Sequence, residues 1–129
     1  MNIVSDTNIF LAVALNEPEK DYIIQLTSGS EVVAPEILPY EIGNALSAMH
    51  KRRQITHKEA LSAQKATHHI PVRLVPIDLQ KALKLAIDFN IYAYDAYFLQ
   101  CAKSLSSPLM TLDKRMKQVA KALNIDLLE

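Results

Sequence analysis

Residues 3–11 read IVSDTNIFL, and this stretch decides the fold. A short β-branched run predicts a strand over 2–5, and the apolar segment after Asp6 predicts a helix over 7–15. A strand that passes directly into a helix is typical of an α/β unit. Asp6 therefore falls at the carboxyl end of the first strand, which is the edge where open α/β sheets bind ligands.

The rest of the chain repeats this alternation. Further strands are predicted over 31–34, 73–76 and 108–112, with a short closing strand over 125–128. Further helices are predicted over 19–28, 36–52, 56–69, 78–89, 94–105 and 113–123. This order predicts a single domain over residues 1–129 with a three-layer α/β/α fold. In it, a parallel sheet of four to five short strands is flanked by about seven helices.

Composition excludes several classes of protein. Half of the 129 residues are hydrophobic and the formal net charge is zero, so the chain is globular and is not a basic protein that coats nucleic acid. A single cysteine, Cys101, excludes an internal disulfide and argues against a structural zinc site. The chain shows neither a signal-peptide pattern nor a membrane-length apolar run, so we expect a cytoplasmic protein.

Glu41 lies beside the apolar stripe of its predicted helix. Leu38, Ile42 and Leu46 share that stripe, and at about 100° per residue Glu41 falls about 60° from Leu38. Burial of a lone carboxylate is costly unless it is paired or binds a cation. The alternative to a functional role is a salt bridge to a nearby Lys or Arg.

Three further acids occupy comparable positions. Asp95 precedes Phe98 by three residues, which turns it toward the core in the first turn of its helix. Asp113 ends the strand over 108–112 as Asp6 ends the first strand. Each of the three could instead be a helix N-cap. Four clustered carboxylates repel one another unless a cation lies between them, and all-oxygen ligands favour Mg²⁺ or Mn²⁺.

These acids lie in segments that resemble the PIN domain family, in particular its VapC-like ribonuclease toxins. The matching segments are IVSDTNIFL (3–11), PEILPYEIGNAL (35–46), YAYDAYFLQCA (92–102) and PLMTLDKRM (108–116). They span nearly the whole chain in the order in which the family has them.

The resemblance implies a Mg²⁺- or Mn²⁺-dependent endonuclease that cleaves single-stranded RNA with a metal-activated water, and a small antitoxin protein as partner. Asp6, Glu41, Asp95 and Asp113 fall on the family's acidic positions, as catalytic and metal-binding residues. Asn8 and Thr111 fall on its accompanying polar positions.

Basic and apolar residues add weaker hypotheses. Arg52 and Arg53, which end a helix, and Lys114 and Arg115, which follow Asp113, are candidate contacts to the RNA backbone. Each could instead be a solvated or helix-capping cation, and capping is favoured for Arg52 and Arg53. Three tyrosines around Asp95 could stack on bases, although core or dimer packing is favoured for at least two of them: Tyr92, Tyr94 and Tyr97.

The first helix is apolar on almost all sides, which is typical of a deeply buried helix or of an interface. This pattern motivates the prediction of a homodimer.

Three other classes of function compete with the nuclease. A haloacid-dehalogenase-like phosphatase also places an Asp after its first strand, but it requires a second Asp where this chain has Asn8. A phospho-receiver would require two adjacent acidic residues directly after its first strand, and this chain has only Asp6 there. A non-catalytic RNA- or protein-binding module would be marked by missing acids, and none of the four is missing.

Overall fold

The computed structural model describes residues 1–129 and contains four strands and seven helices. The strands are β1 (Asn2–Ser5), β2 (Glu31–Pro35), β3 (Arg73–Val75) and β4 (Leu109–Met110). The helices are α1 (Thr7–Ala14), α2 (Lys20–Thr27), α3 (Leu38–Lys51), α4 (His57–His68), α5 (Leu79–Phe89), α6 (Ala93–Ser104) and α7 (Lys114–Ala122). The predicted order of elements is confirmed.

All four strands pair in parallel, in the order β3-β2-β1-β4. The chain places β2 and β3 on one side of β1 and β4 on its other side. The direction of winding therefore reverses next to β1, and such a switch point opens a crevice outside the carboxyl ends of the strands. Asp6 and Thr111 follow the two strands that border this crevice.

The sheet separates two apolar layers because successive side chains of a strand point to opposite faces. Ile3, which is fully buried, packs with Ile9 and Ile23 of α1 and α2. Val4, also fully buried, belongs to the larger cluster that contains Phe98 of α6. The predicted three-layer α/β/α arrangement is confirmed.

The last two predicted strands are shorter than expected. β4 keeps only Leu109 and Met110, because the chain then turns so that Asp113 can cap α7. The predicted closing strand is reduced to one parallel bridge between Leu127 and Leu109, flanked by backbone hydrogen bonds. The edge strand of the sheet on this side, β4, is therefore short and is paired on its outer side by a single bridge.

The apolar first helix is covered by other helices of the same chain. α1 packs against α2, α3 and α4, and Ile9, Phe10 and Ala12 are buried there. Of the two explanations that the sequence offered, burial accounts for its composition, so α1 no longer supports a homodimer. None of the helices is both long enough and apolar enough to cross a membrane.

Candidate acidic site at the carboxyl edge of the sheet

Asp6 is held rigidly at the end of β1. Its side chain is 4 % exposed, and its backbone N–H donates to the carbonyl of Met110 at 2.9 Å. One carboxylate oxygen, Oδ1, accepts from the backbone N–H of Thr7 at 2.7 Å, which makes Asp6 the N-cap of α1. The other oxygen, Oδ2, accepts from the hydroxyl of Thr111 at 2.8 Å. The N-cap alternative is thus true of Asp6, and the cap fixes the direction in which its carboxylate points.

Thr111 and Asn8 connect the ends of β1 and β4. The hydroxyl of Thr111 donates to Asp6, and it accepts from the backbone N–H of Asp113 at 3.1 Å. The amide oxygen of Asn8 accepts from the backbone N–H of Leu112 at 3.2 Å, and its Nδ2 lies 3.4 Å from Thr111 Oγ1. These two polar residues position the acids on either side of the crevice.

Asp113 is the N-cap of α7, as its alternative interpretation proposed. Its Oδ1 accepts from the backbone N–H of Met116 at 3.0 Å. Two residues later, Arg115 donates to the carbonyl oxygen of Phe89 at 2.7 Å, which ties the start of α7 to the last turn of α5. Arg115 therefore has a structural bond of its own, whereas Lys114 is exposed.

Glu41 and Asp95 have neither the salt bridge nor the helix-capping role that would give them a purely structural function. Neither takes part in a salt bridge, because the three ion pairs of the chain lie elsewhere. Asp95 is not the N-cap of α6, since that position belongs to Tyr92. Oε2 of Glu41 is buried without a hydrogen-bond partner. Both the salt-bridge explanation of Glu41 and the N-cap explanation of Asp95 are wrong.

Thr7 is a residue that the sequence did not single out. Its side chain is 5 % exposed, and its hydroxyl is buried without a hydrogen-bond partner. The hydroxyl lies near enough to Glu41 to lower the pKa of that carboxyl, although the two groups do not meet hydrogen-bond geometry. The available signal was a hydroxyl side chain in the first turn of an otherwise apolar helix.

Burial raises the pKa of three of the four acids. For Asp6 it raises the pKa to about 7; the hydrogen bonds from Thr111 and Thr7 oppose this, and the charges of Glu41 and Asp95 add to it. Burial, then the charge of Asp95, raises the pKa of Glu41. Burial, then the charge of Asp113, raises the pKa of Asp95. The four carboxylates thus lie within electrostatic range of their neighbours, in the order Asp6, Glu41, Asp95, Asp113.

The chemistry of this set fits a hard divalent cation. No three acidic, histidine or cysteine side chains stand close enough to ligate one ion directly. Mg²⁺ does not require this, because it is commonly held by one or two carboxylates and keeps several waters. The buried, unpaired Oε2 of Glu41 and the absence of any salt bridge at the site leave its charge to be balanced from outside the chain.

The remaining candidates have different surroundings. Arg52 and Arg53 are exposed at the far end of α3. Tyr92 and Tyr94 are 83 % and 50 % exposed, so neither packs in the core of its own chain, and dimer packing for them stays a prediction. Tyr97 alone packs against the core, with its ring edge-to-face on Tyr94.

Comparison with known proteins agrees with this fold. The family model of the PIN domain matches residues 3–122, and the chain belongs to that family. PIN domains are typically nucleases, so the activity class that this fold represents is phosphodiester hydrolysis. A search of curated protein sequences returned no significant match.

Two solved structures share the fold at low sequence identity. One is PAE2754 from Pyrobaculum aerophilum, with a TM-score of 0.67 and 21 % identity, covering 96 % of this chain and 88 % of that chain. The other is VapBC2 from Rickettsia felis bound to a DNA fragment from their promoter, with a TM-score of 0.66 and 14 % identity, covering 98 % of this chain and 97 % of that chain. The similarity therefore extends over essentially the whole fold.

Proposed function

We propose that this protein is a Mg²⁺- or Mn²⁺-dependent endoribonuclease that cleaves single-stranded RNA, with Asp6, Glu41, Asp95 and Asp113 as its acidic site. The observation that carries the proposal is the set of half-buried or buried carboxylates without a salt bridge, at the carboxyl edge of a PIN fold. An acidic site of this kind repels a phosphodiester unless a cation is present, so the metal and the substrate are proposed together.

Asp6, Glu41 and Asp95 would hold the ion, no more than two of them directly and the rest through water, and Asp113 would assist. A bound divalent cation lowers the pKa of a water and neutralises charge on the phosphodiester. The chain's own contribution is orientation. Thr7 and Thr111 fix the Asp6 carboxylate by hydrogen bonds to both oxygens, whereas the partnerless Glu41 Oε2 and Thr7 Oγ1 remain available to orient a water.

The alternatives receive less support from the same residues. A haloacid-dehalogenase-like phosphatase would require an Asp at residue 8, where its carboxylate acts as a general acid and base. Here the Asn8 amide is engaged with the backbone of Leu112. A non-catalytic binding module would have no need to keep carboxylates at a cost in folding free energy.

The family and the likeness to VapBC2 also support a cognate antitoxin as partner, so we propose that the protein is the toxin of a toxin–antitoxin pair.

The proposed activity predicts RNA cleavage that depends on both the metal and Asp95. Wild-type protein is incubated with unstructured RNA in Mg²⁺, in Mn²⁺ and after chelation, beside Asp95→Asn and the exposed control Asp126→Asn. Loss of one carboxylate of the site is expected to reduce cleavage about 10²-fold, because several kcal/mol of charge stabilisation depend on the ion. The control should retain full activity.

Two results of this assay would contradict the proposal. One is cleavage that survives complete chelation of divalent ions. The other is a folded Asp95→Asn protein that is as active as the wild type. Release of phosphate from small phosphoesters without RNA cleavage would favour the phosphatase instead.

The predicted homodimer is better assigned to α5 than to α1. Leu79, Leu83 and Ile87 recur every four residues on one face of α5 and are 64 %, 53 % and 71 % exposed. The charged residues of the same helix are balanced, with Lys81 and Lys84 against Asp88 and the capping Asp78. A two-fold interface brings the same face of each subunit together, and a face without net charge does not repel its copy.

Light scattering at micromolar concentration tests this assignment. The wild type is expected to have the mass of a dimer, and Leu83→Glu the mass of a monomer, because a carboxylate would then be buried at the centre of the interface. Leu61→Glu, which alters an equally exposed leucine of α4, should remain dimeric. A wild-type protein with the mass of a monomer counts against the homodimer altogether.

A further inference from the structure

The turn between α3 and α4 carries the densest positive charge of the chain. It holds Lys51, Arg52, Arg53 and Lys58, together with His50 and His57, and all six side chains are exposed. We propose that this basic turn, residues 50–58, binds phosphates of the RNA strand whose scissile bond lies at the acidic site, a few nucleotides away along the strand. The inference rests on the proposed function and names a second contact for the same substrate.

The charges of the basic turn are not neutralised within the protein. None of its four lysines and arginines forms one of the chain's three salt bridges. The only acid nearby, Glu59, is used elsewhere, because its Oε1 accepts from the backbone N–H of Thr56 at 2.9 Å in a capping box. The helix dipole stabilises a cation at the end of α3, but this effect acts only within the last turn. The remaining positive charge is therefore available to an anion.

The turn is a fixed scaffold for these side chains. The backbone N–H of Arg53 donates to His50 at 2.9 Å, and that of Gln54 reaches back to Met49 at 2.9 Å. On the other side, Thr56 accepts from the backbone N–H of Glu59 at 3.0 Å and so begins α4. Fewer degrees of freedom are then lost when an anion binds, which favours affinity.

Arg53 occupies a backbone conformation that disfavours it. Its φ is +59°, in the left-handed region, where a helix end usually has Gly or Asn. Asn fills three of the other left-handed positions of this chain, at Asn16, Asn90 and Asn124. An arginine at such a position is conformationally unfavourable, and it places a guanidinium at the corner of the turn.

A cleft of about 530 Å³ opens beside this corner. Seven residues line it, and five of them carry side-chain hydrogen-bond donors: His50, Lys51, Arg53, Gln54 and Thr56. The other two are Ile55 and Glu59, the one acid, whose Oε1 accepts from the backbone N–H of Thr56. The rings of His50 and His57 meet edge-to-face, with centroids 6.4 Å apart, at its border. Guanidinium and ammonium groups around a shallow cleft suit phosphate oxygens.

The position of the basic turn favours RNA over an acidic protein segment. Glu41 lies in the first turn of α3 and Arg52 follows its last residue, so one straight helix separates the acidic site from the cations. Eleven residues of helix measure about 16 Å, a distance that a few nucleotides of a single strand can span. An RNA cleaved at the acidic site is therefore able to reach the turn with phosphates a few nucleotides away.

The test compares two RNA lengths with a charge-matched control. The variant combines Lys51→Ala, Arg52→Ala and Arg53→Asn, where Asn keeps the left-handed backbone. The control combines Lys65→Ala, Lys103→Ala and Lys121→Ala, which removes three exposed lysines from three other helices. Cleavage of an RNA of about four nucleotides is compared with cleavage of one of about twenty nucleotides, and anisotropy measures binding of the longer RNA in chelator over a range of salt.

The turn variant is expected to bind the longer RNA about tenfold or more weakly and to lower the slope of log affinity against log salt by about 2, since roughly 0.7 per lost phosphate contact applies to single strands. Its cleavage of the short RNA should equal that of the wild type, and the control variant should change neither property.

Equal losses on both RNA lengths, or an unchanged salt slope, would overturn the proposal. An unchanged slope would mean that the basic turn makes no contact with RNA phosphates. If the wild type cleaves no RNA, the proposed function fails, whereas the salt-dependent binding comparison still decides whether the turn holds RNA.

Discussion

Replacing Asp6 with Asn is expected to reduce metal-dependent RNA cleavage by about 10²–10³-fold while the protein becomes more stable without metal. Activity falls because Asp6 is the most buried of the four acids and is fixed by two hydrogen bonds, so no other carboxylate can take its place. Stability rises because the amide keeps the cap on Thr7 and removes a charge whose burial is unfavourable. Cleavage assays and thermal unfolding in chelator measure the two effects on one preparation.

Thr111→Val provides a comparison that leaves the carboxylate in place. It removes the hydroxyl that donates to Asp6 Oδ2 and accepts from the Asp113 N–H, so it disturbs positioning without removing a charge. Its loss of activity should be smaller than that of Asp6→Asn, and its stability in chelator should fall. An Asp6→Asn protein that is fully active, or that is active yet indifferent to Mg²⁺, would remove Asp6 from the site.

The stability of the metal-free protein is expected to fall as pH rises from about 4 to about 7. Burial raises the pKa of Asp6 from 3.8 to about 7, so between these values the folded protein binds a proton that the unfolded chain releases. Each increment of pH then favours unfolding, by up to about 4 kcal/mol in total for this one group. Burial shifts the pKa of Glu41 and of Asp95 in the same direction.

Mg²⁺ is expected to reverse this trend, because it binds the deprotonated carboxylates and only in the folded state. Thermal unfolding is followed at about pH 5 and about pH 8, in chelator and in millimolar Mg²⁺; the melting temperature in chelator should be lower at the higher pH, by on the order of 10 °C. The gain from Mg²⁺ should be large at the higher pH and small at the lower one. In Asp6→Asn both effects should shrink, and a gain from Mg²⁺ that is equal at the two pH values would contradict the model.

The sequence was sufficient for the order of elements and for the inward direction of Glu41 and Asp95. Both follow from periodicity, because helical spacing relates Glu41 to Leu38 and Asp95 to Phe98 whatever the tertiary structure. The strands before Asp6 and Asp113 were visible as short β-branched or apolar runs. Their shared position at one sheet edge then follows from parallel pairing.

Features that depend on long-range contacts were not predictable. The length of β4 is set by the turn that lets Asp113 cap α7, and a β-branched pattern does not contain that information. The hydrogen bond from Arg115 to Phe89 joins residues 26 positions apart, so the local pattern showed only a basic helix start. The hydroxyl of Thr7 is buried without a partner because α1 packs against α3, a contact between distant segments of the chain.

The short edge strand β4 affects how often this part of the protein opens locally. β4 has two residues, and its outer side is held by hydrogen bonds from Leu109 to Asp126 and from Leu128 to Leu109. Because so few bonds hold its outer side, we expect this edge to open more readily than the central strands of the sheet. Thr111 and Asp113 follow β4 within three residues. The hydrogen bonds between residues 126–128 and Leu109 therefore help to hold one side of the crevice in place. A partner that binds or displaces residues 126–128 would therefore change how long Thr111 and Asp113 stay in position at the site.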